Sequence, residues 1–469
     1  MSPPKILYSA SKESPGTIFI GNGREFFSPI DPFVSSAHKE EFIQTDKDET
    51  DPMIFELGDD KIIFVPQSID AGYINDMMRL FDFKNVSIIQ PPETGNGLSR
   101  DILDDKETYE MLRNAIIRSG SDVKVIPWGQ TQQFEQLHKK LRQDGLIFQA
   151  PETPLDKANW HPDYTNTKLG TREILQRVQI AHPELAIHLP EGFPCPEIKT
   201  ALELAKYFVA TERGIVLKAN LGAAGVGVFA FSPQEYVLSS TEGWNAMESK
   251  VNENMLLQSG PVIIEEYVLP NFDEPGVFPS VDTLIQPDGT PVVQAVSGMM
   301  IHRDGEEFEF YGSRMGHGLF TDEQKQYMEH INIAVGQEHA RIGYRGWYDT
   351  DFILAKNGLL YLSETNVRRT GTTYMVDLAR KLFGDDWETK MAMIANDKYI
   401  RPHLAGLSYE NVKVILSDLL FPIHGEKRGI ILTQSMRSMF GRGKFAYAAI
   451  GSTQHDAEFL EKQLEEALG

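Results

Sequence analysis

The chain has 469 residues, of which 41% are hydrophobic and 24% are charged, a balance typical of globular rather than disordered proteins. This length exceeds the size at which one hydrophobic core usually stops growing, so we expect two or three domains. With 45 basic and 67 acidic residues, the net charge of −22 disfavours binding to nucleic acid or to anionic membrane surfaces.

The cysteine and hydropathy content indicate where the protein acts. The single cysteine, Cys195, cannot form an intramolecular disulfide, which favours a reducing compartment. No run approaches the ~20 apolar residues of a membrane-spanning helix. The first residues also lack the apolar core of a signal peptide. We therefore expect a cytoplasmic protein with no membrane or nucleic-acid partner.

The first third of the chain alternates short apolar runs with helical patterns. In chain order, strands are predicted at 17–20, 62–65, 86–89 and 123–126, and helices at 73–81 and 133–141. Strands separated by helices of this length predict βαβ units and a parallel sheet. We expect an α/β domain over residues 1–150, ended by a Pro-containing polar stretch.

A second domain is predicted over 151–395 and a small α+β domain over 396–469. The second domain begins with a helix that starts at Lys168, after Thr167, and it continues with a second helix and many β-branched runs separated by glycine. The last domain is predicted to contain two strands and a C-terminal amphipathic helix, at 429–433, 444–451 and 455–468.

A glycine-rich loop lies between two predicted strands at 214–231, with Lys218 on the first strand. Small residues leave its backbone N–H groups free to close over a phosphate chain; they are Gly222, Ala223, Ala224, Gly225 and Gly227. The order strand, loop, strand differs from the Walker loop and from the dinucleotide fingerprint. A hairpin without a ligand explains this loop equally well when it is taken alone.

An apolar strand at 261–270 ends in Glu265, Glu266, Tyr267 and Val268. Such an end can offer main-chain groups to an adenine edge, with Tyr267 and Val268 in apolar contact with the base. Taken alone, the segment is explained better as an edge strand with exposed acids.

Two strands joined by an Asn-Gly turn are predicted over 346–366. Period-two alternation places Asp349 and Asp351 on one face of the first strand, and Glu364 and Asn366 on one face of the second. Asp351 and Glu364 should therefore face each other. Two carboxylates and an amide oxygen form a hard-oxygen site suited to Mg²⁺, with Mn²⁺ as an alternative. A solvated charged hairpin is the competing interpretation.

Arg368 and Arg369 follow this hairpin directly. A guanidinium group binds phosphate or carboxylate through two parallel hydrogen bonds. Both arginines are therefore candidates to bind a transferring phosphate or a substrate carboxylate.

Taken in this order, the segments resemble the ATP-grasp superfamily over residues 155–395. The resemblance rests on Lys168 opening a helix, Lys218 before the glycine-rich flap, the Glu-Glu-Tyr-Val run, and Asp351 with Glu364-Thr-Asn366. It implies an ATP-grasp fold behind a pre-ATP-grasp-like α/β domain. It also implies that the two lysines contact ATP phosphates and that Asp351, Glu364 and Asn366 hold Mg²⁺.

The run from Glu364 to Gly371 looks like the Glu-x-Asn-Pro-Arg pattern of several members, which implies a catalytic role for Arg368. Many such ligases hold the ribose of ATP with an acid that lies just before the strand following the Glu-Glu-Tyr-Val run. Phe278-Pro-Ser stands there instead, and Asp273 or Glu274 is the substitute that we predict.

The N-terminal α/β domain and the pattern Gly-Lys-Phe-x-Tyr-x-x-Ile-Gly at 443–451 resemble the peptide ligases related to the pheganomycin ligase. This resemblance implies a carboxylate–amine ligase that takes amino acids or peptides and forms an amide through an acyl phosphate. Its partners would be these small molecules, with a homo-oligomer as a further expectation.

Three alternatives stay open: a kinase-like member of the superfamily, a carboxylase, and a nucleotide-binding regulatory module without chemistry. Arg303, Arg314 and His317 are either substrate contacts or surface charge.

Overall fold

The structure is a computed structural model that describes residues 3–9, 14–33, 39–222, 225–304, 307–435 and 443–469. Ala223 and Ala224 of the predicted phosphate loop lie outside these ranges. No helix within the described ranges is both long and apolar enough to cross a membrane.

Residues up to 143 form the first α/β unit. Its strands are β1 (Lys5–Tyr8), β2 (Thr17–Ile20), β3 (Asp60–Phe64), β4 (Asn85–Gln90) and β5 (Lys124–Pro127). Its helices are α1 (Gly23–Phe27), α2 (Lys39–Asp48), α3 (Ala71–Leu80), α4 (Leu98–Asp104), α5 (Lys106–Ser119) and α6 (Gln132–Gln143). The strand order is β1-β4-β3-β2-β5. β2 to β5 are parallel and β1 joins one edge antiparallel, which confirms the predicted parallel sheet.

Local sequence explains why these helices begin where they do. Asp70 precedes α3 and accepts hydrogen bonds from the backbone of Gly72 at 2.8 Å and Tyr73 at 3.1 Å. Thr131 caps α6 in the same way through Phe134, at 3.1 Å. Because α1 and α6 follow the carboxyl ends of β2 and β5, their first residues lie at one edge of the sheet.

The central part of the chain builds a larger, mainly antiparallel sheet. Its helices are α7 (Trp160–Thr165), α8 (Lys168–Ala181), α9 (Ile198–Val209), α10 (Thr241–Glu253), α11 (Met255–Gln258), α12 (Asp322–Ile342) and α13 (Thr373–Phe383). Its strands are β6 (Gly192–Cys195), β7 (Ile215–Ala219), β8 (Val228–Phe231), β9 (Val262–Glu266), β10 (Pro279–Ile285), β11 (Pro291–Asp304), β12 (Glu307–Gly316), β13 (Gly346–Leu354) and β14 (Leu360–Asn366). They follow the order β14-β13-β10-β11-β12-β8-β7-β9-β6.

The C-terminal segment extends this sheet. It comprises β15 (Ala392–Ile400), α14 (Tyr409–Ile415), β16 (Gly429–Leu432), β17 (Lys444–Gly451) and α15 (Gln454–Leu468). β15 pairs with β12 and β17, so the predicted boundary at residue 395 falls inside a strand. One hydrophobic core joins residues from Phe19 and Phe55 to Tyr447 and Leu468. The predicted domain limits stay predictions.

Candidate functional site

A cavity of about 280 Å³ lies where the sheet formed by β7, β9, β13 and β14 meets the N-terminal unit. Most of the residues singled out from the sequence line it, including Lys168, Lys218, Glu265, Asp351 and Glu364. Residues distant in the sequence therefore share one wall.

Each of the two lysines is held in place by local structure. Lys168 is the first residue of α8, capped by Thr167, and its backbone N–H donates to the carbonyl oxygen of Asn220 at 3.0 Å. Asn220 follows β7, so this bond joins the start of α8 to the strand that carries Lys218. The two lysines are 6% and 7% exposed.

Each lysine pairs with a carboxylate that lines the same cavity. Lys168 Nζ donates to Glu364 Oε1. Lys218 Nζ lies 2.7 Å from Glu265 Oε2. Arg172 Nη1 also donates to Glu265, at 2.7 Å. An anionic ligand that enters between the walls would compete for the lysine charges.

The end of β9 lies at the cavity, and some of its groups are already bonded within the protein. Glu266 forms an ion pair with Arg213 at 3.0 Å. The backbone N–H of Tyr267 donates to the carbonyl oxygen of Gly214 at 2.9 Å. Tyr267 lines the cavity, and so do several apolar side chains: Val216, Val268, Phe278, Met299, Ile301 and Phe352. This apolar lining suits a flat apolar ring.

The glycine-rich loop joins β7 to β8. Gly225 lines the cavity and has φ +93°, and a Cβ atom there would lie 1.9 Å from the carbonyl oxygen of Phe308. Only glycine fits this position. Gly227 also has a positive φ of +87°, and Gly222 lines a neighbouring cavity.

The β13–β14 hairpin has the predicted register. Asp351 lies opposite Glu364, and Asp349 lies opposite Asn366. Asn366 Nδ2 donates to Asp349 Oδ1 at 3.0 Å and to Asp351 Oδ2 at 3.1 Å. The side-chain amide therefore bridges two buried carboxylates.

The carboxylates of this hairpin are buried close together, and nearby cations do not fully compensate their negative charge. Burial, with repulsion from Glu364, raises the pKa of Asp351 to about 7. Burial, with repulsion from Asp351, raises the pKa of Asp349 well above its ordinary value. The pKa of Glu364 is lowered, because Lys168 and Lys218 together outweigh the effect of burial. Asp351 Oδ1 is buried and has no hydrogen-bond partner among the described residues.

These residues fit a divalent cation. Hard carboxylate oxygens, a buried oxygen without a partner and raised carboxyl pKa values are what a site for such an ion shows without it. Asn366 Oδ1 accepts from Arg368 here, so the Asn366 amide would have to turn over to become a ligand. Within the described ranges no group of three His, Cys, Asp or Glu side chains forms a closed metal site. An ion held by Asp351, Glu364 and Asn366 would need further ligands from a substrate or from water.

The two arginines have different surroundings. Arg368 Nη1 donates to Asn366 Oδ1 at 2.8 Å, and its guanidinium carbon lies 5.1 Å from the centroid of the Phe26 ring. Its Nε is buried without a partner among the described residues. Arg369 is 1% exposed, and its guanidinium donates to Glu56 at 2.6 Å and to Glu152 at 2.6 and 2.7 Å. Both arginines line the cavity and each has an Nε without a partner among the described residues, so they differ in that both terminal nitrogens of Arg369 are engaged by protein carboxylates.

The structure does not bring Asp273 to the cavity. Asp273 and Glu274 are exposed on the turn after β9 and are not among its lining residues. Arg303 and Arg314 form ion pairs with Glu235 and Glu458.

Asp282 and Asp397 are buried acids at the site that sequence reasoning missed. Asp282 lies on β10 directly opposite Asp349, and it accepts a hydrogen bond from Thr370 Oγ1 at 2.7 Å. Asp397 lies on β15 and lines the cavity. The available signal was one acid within a largely buried strand in each segment, Pro279–Ile285 and Ala392–Ile400.

A second cavity of about 330 Å³ meets the first at Asn366 and Arg368. Residues at the carboxyl ends of β2 and β5, the start of α8 and Gly222 line it. Gln130 there is 5% exposed, and its Oε1 has no hydrogen-bond partner among the described residues.

No family model and no curated protein matches the chain. Solved structures do match over nearly its whole length. A biotin carboxylase–β,γ-ATP complex from Campylobacter jejuni has a TM-score of 0.53 at 12% identity and covers 97% of this chain and 92% of its own.

Two N5-carboxyaminoimidazole synthetases are similarly close. The enzyme from Aspergillus clavatus, in complex with ADP and an aminoimidazole ribonucleotide, has a TM-score of 0.53 at 12% identity, with 97% of this chain and 99% of its own covered. The enzyme from Staphylococcus aureus has a TM-score of 0.52 at 11% identity, with 98% and 100% covered. At this identity the similarity concerns the fold. The chain has the ATP-grasp fold, as the order of its motifs predicted.

Proposed function

We propose that this chain is an ATP-dependent ligase that activates a carboxylate as an acyl phosphate and passes the acyl group to an amine, with release of ADP and phosphate. One observation carries the proposal. Two buried lysines, Arg368 and the Asp351–Glu364 pair converge on one cavity, and each lysine is neutralised there by a carboxylate that a phosphate chain would replace.

The nucleotide is ATP, with its base against the apolar wall around Tyr267 and Val268 and its phosphates beside Lys168, Lys218 and Gly225. Two of the compared structures hold adenine nucleotides, which supports the choice of ATP as the nucleotide. Asp351, Glu364 and Asn366 would hold Mg²⁺, or Mn²⁺, which neutralises charge on the phosphates.

Arg368 acts where the two cavities meet. Its free Nε and its position beside Asn366 suit it to bind the carboxylate and the phosphoryl group during transfer. The second cavity, which also reaches Arg368, is the proposed place of the carboxylate substrate. Amino acids or peptides, as in the peptide ligases that the sequence resembles, are the proposed substrates.

An isotope experiment tests the acyl phosphate. When the amine attacks, the bridging oxygen leaves with phosphate, so ¹⁸O in the substrate carboxylate should appear in the released inorganic phosphate. The measurement is mass spectrometry of phosphate after a single turnover, with the acid and amine found by screening ADP release. Unlabelled phosphate together with a stable phosphorylated product would instead identify a kinase-like enzyme.

The same experiment includes Arg368→Lys. An ammonium group keeps the charge but loses the planar pair of donors. We therefore expect the chemical step to slow by about a hundredfold, while the affinity for ATP changes far less. Equal losses in both quantities would remove Arg368 from the transfer step.

The folds of the compared structures favour one further candidate, a carboxylase in which bicarbonate is the carboxylate that is activated. ADP release that needs bicarbonate and no organic acid would support the carboxylase. ADP release that needs an organic acid in bicarbonate-free buffer would support the ligase. ATP binding without ADP release, whichever acid and amine are supplied, would indicate a regulatory module.

A further inference from the structure

One part of the nucleotide cavity is lined by acidic groups that neither the lysines nor the hairpin uses. We call it the acceptor end and define it by Glu49, Phe310, Gly371, Asp397 and Gln434, all of which line the cavity. It lies between the loop that follows Arg369 and strand β15.

Asp397 has one oxygen fixed and one turned to this space. It is 8% exposed, and its Oδ1 accepts a hydrogen bond from the Tyr374 hydroxyl at 2.9 Å. Its Oδ2 lies 3.5 Å from the point where a Cβ atom on Gly371 would stand, and two ring atoms of Phe310 lie 3.4 Å from the same point. With glycine at position 371, no side chain from this residue covers the Asp397 carboxylate oxygen or the Phe310 ring, and all three residues line the cavity. An ammonium group prefers both neighbours.

The charge around Asp397 points the same way. Burial raises the pKa of Asp397 to about 7, against the hydrogen bond from Tyr374, and Glu49 adds repulsion. The nearby bases Lys398 and Lys444 are not among the described residues that line the cavity. A ligand in the acceptor end therefore meets the carboxylates of Asp397 and Glu49, while Lys398 and Lys444 partly offset the charge of Asp397 from outside the lining.

Gln434 provides an independent sign of a ligand. It is 3% exposed, and its Nε2 has no hydrogen-bond partner among the described residues. A buried N–H group without an acceptor costs about 1–3 kcal/mol. A ligand oxygen at this end would satisfy Gln434.

We propose that the acceptor end binds the amine substrate as an ammonium cation, held between Asp397 Oδ2 and the ring of Phe310, while Gln434 donates to an oxygen of the same molecule. An amino group and an oxygen acceptor in the same small molecule describe an amino acid or the N-terminal residue of a peptide. The inference rests on the proposed ligase function, since it names the class of its second substrate.

The test compares Asp397→Asn, which removes the charge, with Gly371→Ala, which keeps it and fills the space. A methyl group at Gly371 meets its nearest neighbours at ordinary contact distances of 3.4 and 3.5 Å, so this variant should fold even if the first does not. Asp385→Asn, at an exposed carboxylate outside the cavity lining, is the matched control.

Each protein is saturated with a non-hydrolysable ATP analogue and Mg²⁺ and titrated calorimetrically with the common amino acids, one at a time, and with their analogues lacking the amino group. At least one amino acid should bind the wild type. Asp397→Asn and Gly371→Ala should weaken that binding at least tenfold, the control should not, and the affinity for the ATP analogue should stay the same.

Three outcomes overturn the inference while the nucleotide still binds. They are equal amino-acid affinity in all variants, equally tight binding of the analogue without an amino group, and no binding of any amino acid. Failure of the wild type to bind the ATP analogue would refute the proposed function itself, and the inference with it.

Discussion

Lys218 and Glu265 form an ion pair across the adjacent strands β7 and β9, with 2.7 Å between Nζ and Oε2 and both side chains less than one tenth exposed. A buried pair of this kind is costly to form from solvated charges. We propose that this pair keeps the lysine charge at the cavity until an anion competes for it.

Replacing Lys218 by Met tests its role toward phosphate. Arg172 remains 2.7 Å from Glu265 in this variant, so the carboxylate keeps a partner and the fold should persist. A hydrogen bond to a charged group contributes about 1.5–3 kcal/mol, so the affinity for a non-hydrolysable ATP analogue should fall at least about tenfold. Titration calorimetry measures this, with Lys157→Met, at an exposed lysine, as the control. Unchanged affinity would remove Lys218 from the nucleotide site.

Glu364→Gln tests the candidate metal site. The substitution removes a charged ligand at nearly constant volume, and a bound cation contributes several kcal/mol to charge stabilisation. ADP release with the substrate pair found by screening should therefore fall at least about a hundredfold, while the circular dichroism spectrum stays the same. Glu242→Gln, at an exposed glutamate, is the control. Near wild-type ADP release would make the carboxylate cluster structural.

Arg369→Met tests whether this arginine mainly holds the fold together. The variant leaves Glu56 and Glu152 buried without their guanidinium partner. Removing one member of a buried ion pair costs about 3–5 kcal/mol. Urea unfolding at pH 8, where Glu56 is ionised, should show this loss. Arg79→Met, at a side chain that is 77% exposed, should change stability by less than about 1 kcal/mol. A fully stable but inactive Arg369→Met protein would support the catalytic role that the sequence suggested.

The pH dependence of stability tests the surroundings of Glu56. Burial raises its pKa from 4.5 to about 7, although Arg369 opposes the change. Because the pKa of Glu56 is higher in the folded than in the unfolded protein, its contribution to the free energy of unfolding is fully present below pH 4.5 and is lost as pH rises through 7. Burial lowers the pKa of the neighbouring Lys61 from 10.5 to about 7. This shift makes the free energy of unfolding rise with pH, and it does so above pH 7, outside the range in which Glu56 titrates.

Glu56→Gln should therefore flatten the fall in unfolding free energy between pH 5 and pH 7, by an amount on the order of a few kcal/mol. Urea denaturation at intervals across this range measures it. Glu242→Gln should leave the wild-type profile unchanged, and an equally steep profile in Glu56→Gln would contradict the buried, proton-binding state of this carboxyl group.

Much of the candidate site follows from local sequence. The register of Asp351 with Glu364 could be predicted because a two-residue side-chain period and a tight turn leave a hairpin little freedom. The lysine at the start of α8 could be predicted because Thr167 caps that helix. The parallel N-terminal sheet follows from strands spaced by helices.

The partners of these residues could not be predicted in this way. Arg368 and Arg369 are adjacent and both line the first cavity, yet Arg368 contacts Asn366 whereas Arg369 pairs with Glu56 and Glu152 from the N-terminal third of the chain. They lie just after β14, where the backbone bends, so the two side chains take different directions. Which direction meets a ligand depends on the elements that pack on each side.

The sequence by itself determined the element types, the hairpin register and the kinds of side chain available for phosphate and cation binding, because these depend on neighbours a few residues apart. Only the tertiary structure decided that Asp282 lies beside Asp349, that Asp397 turns toward Gly371 and that Asp273 stays outside the cavity. Those relationships join strands that are far apart in the chain. Which strands become neighbours is fixed by the burial of their apolar faces, and the polar side chains contribute little to that burial.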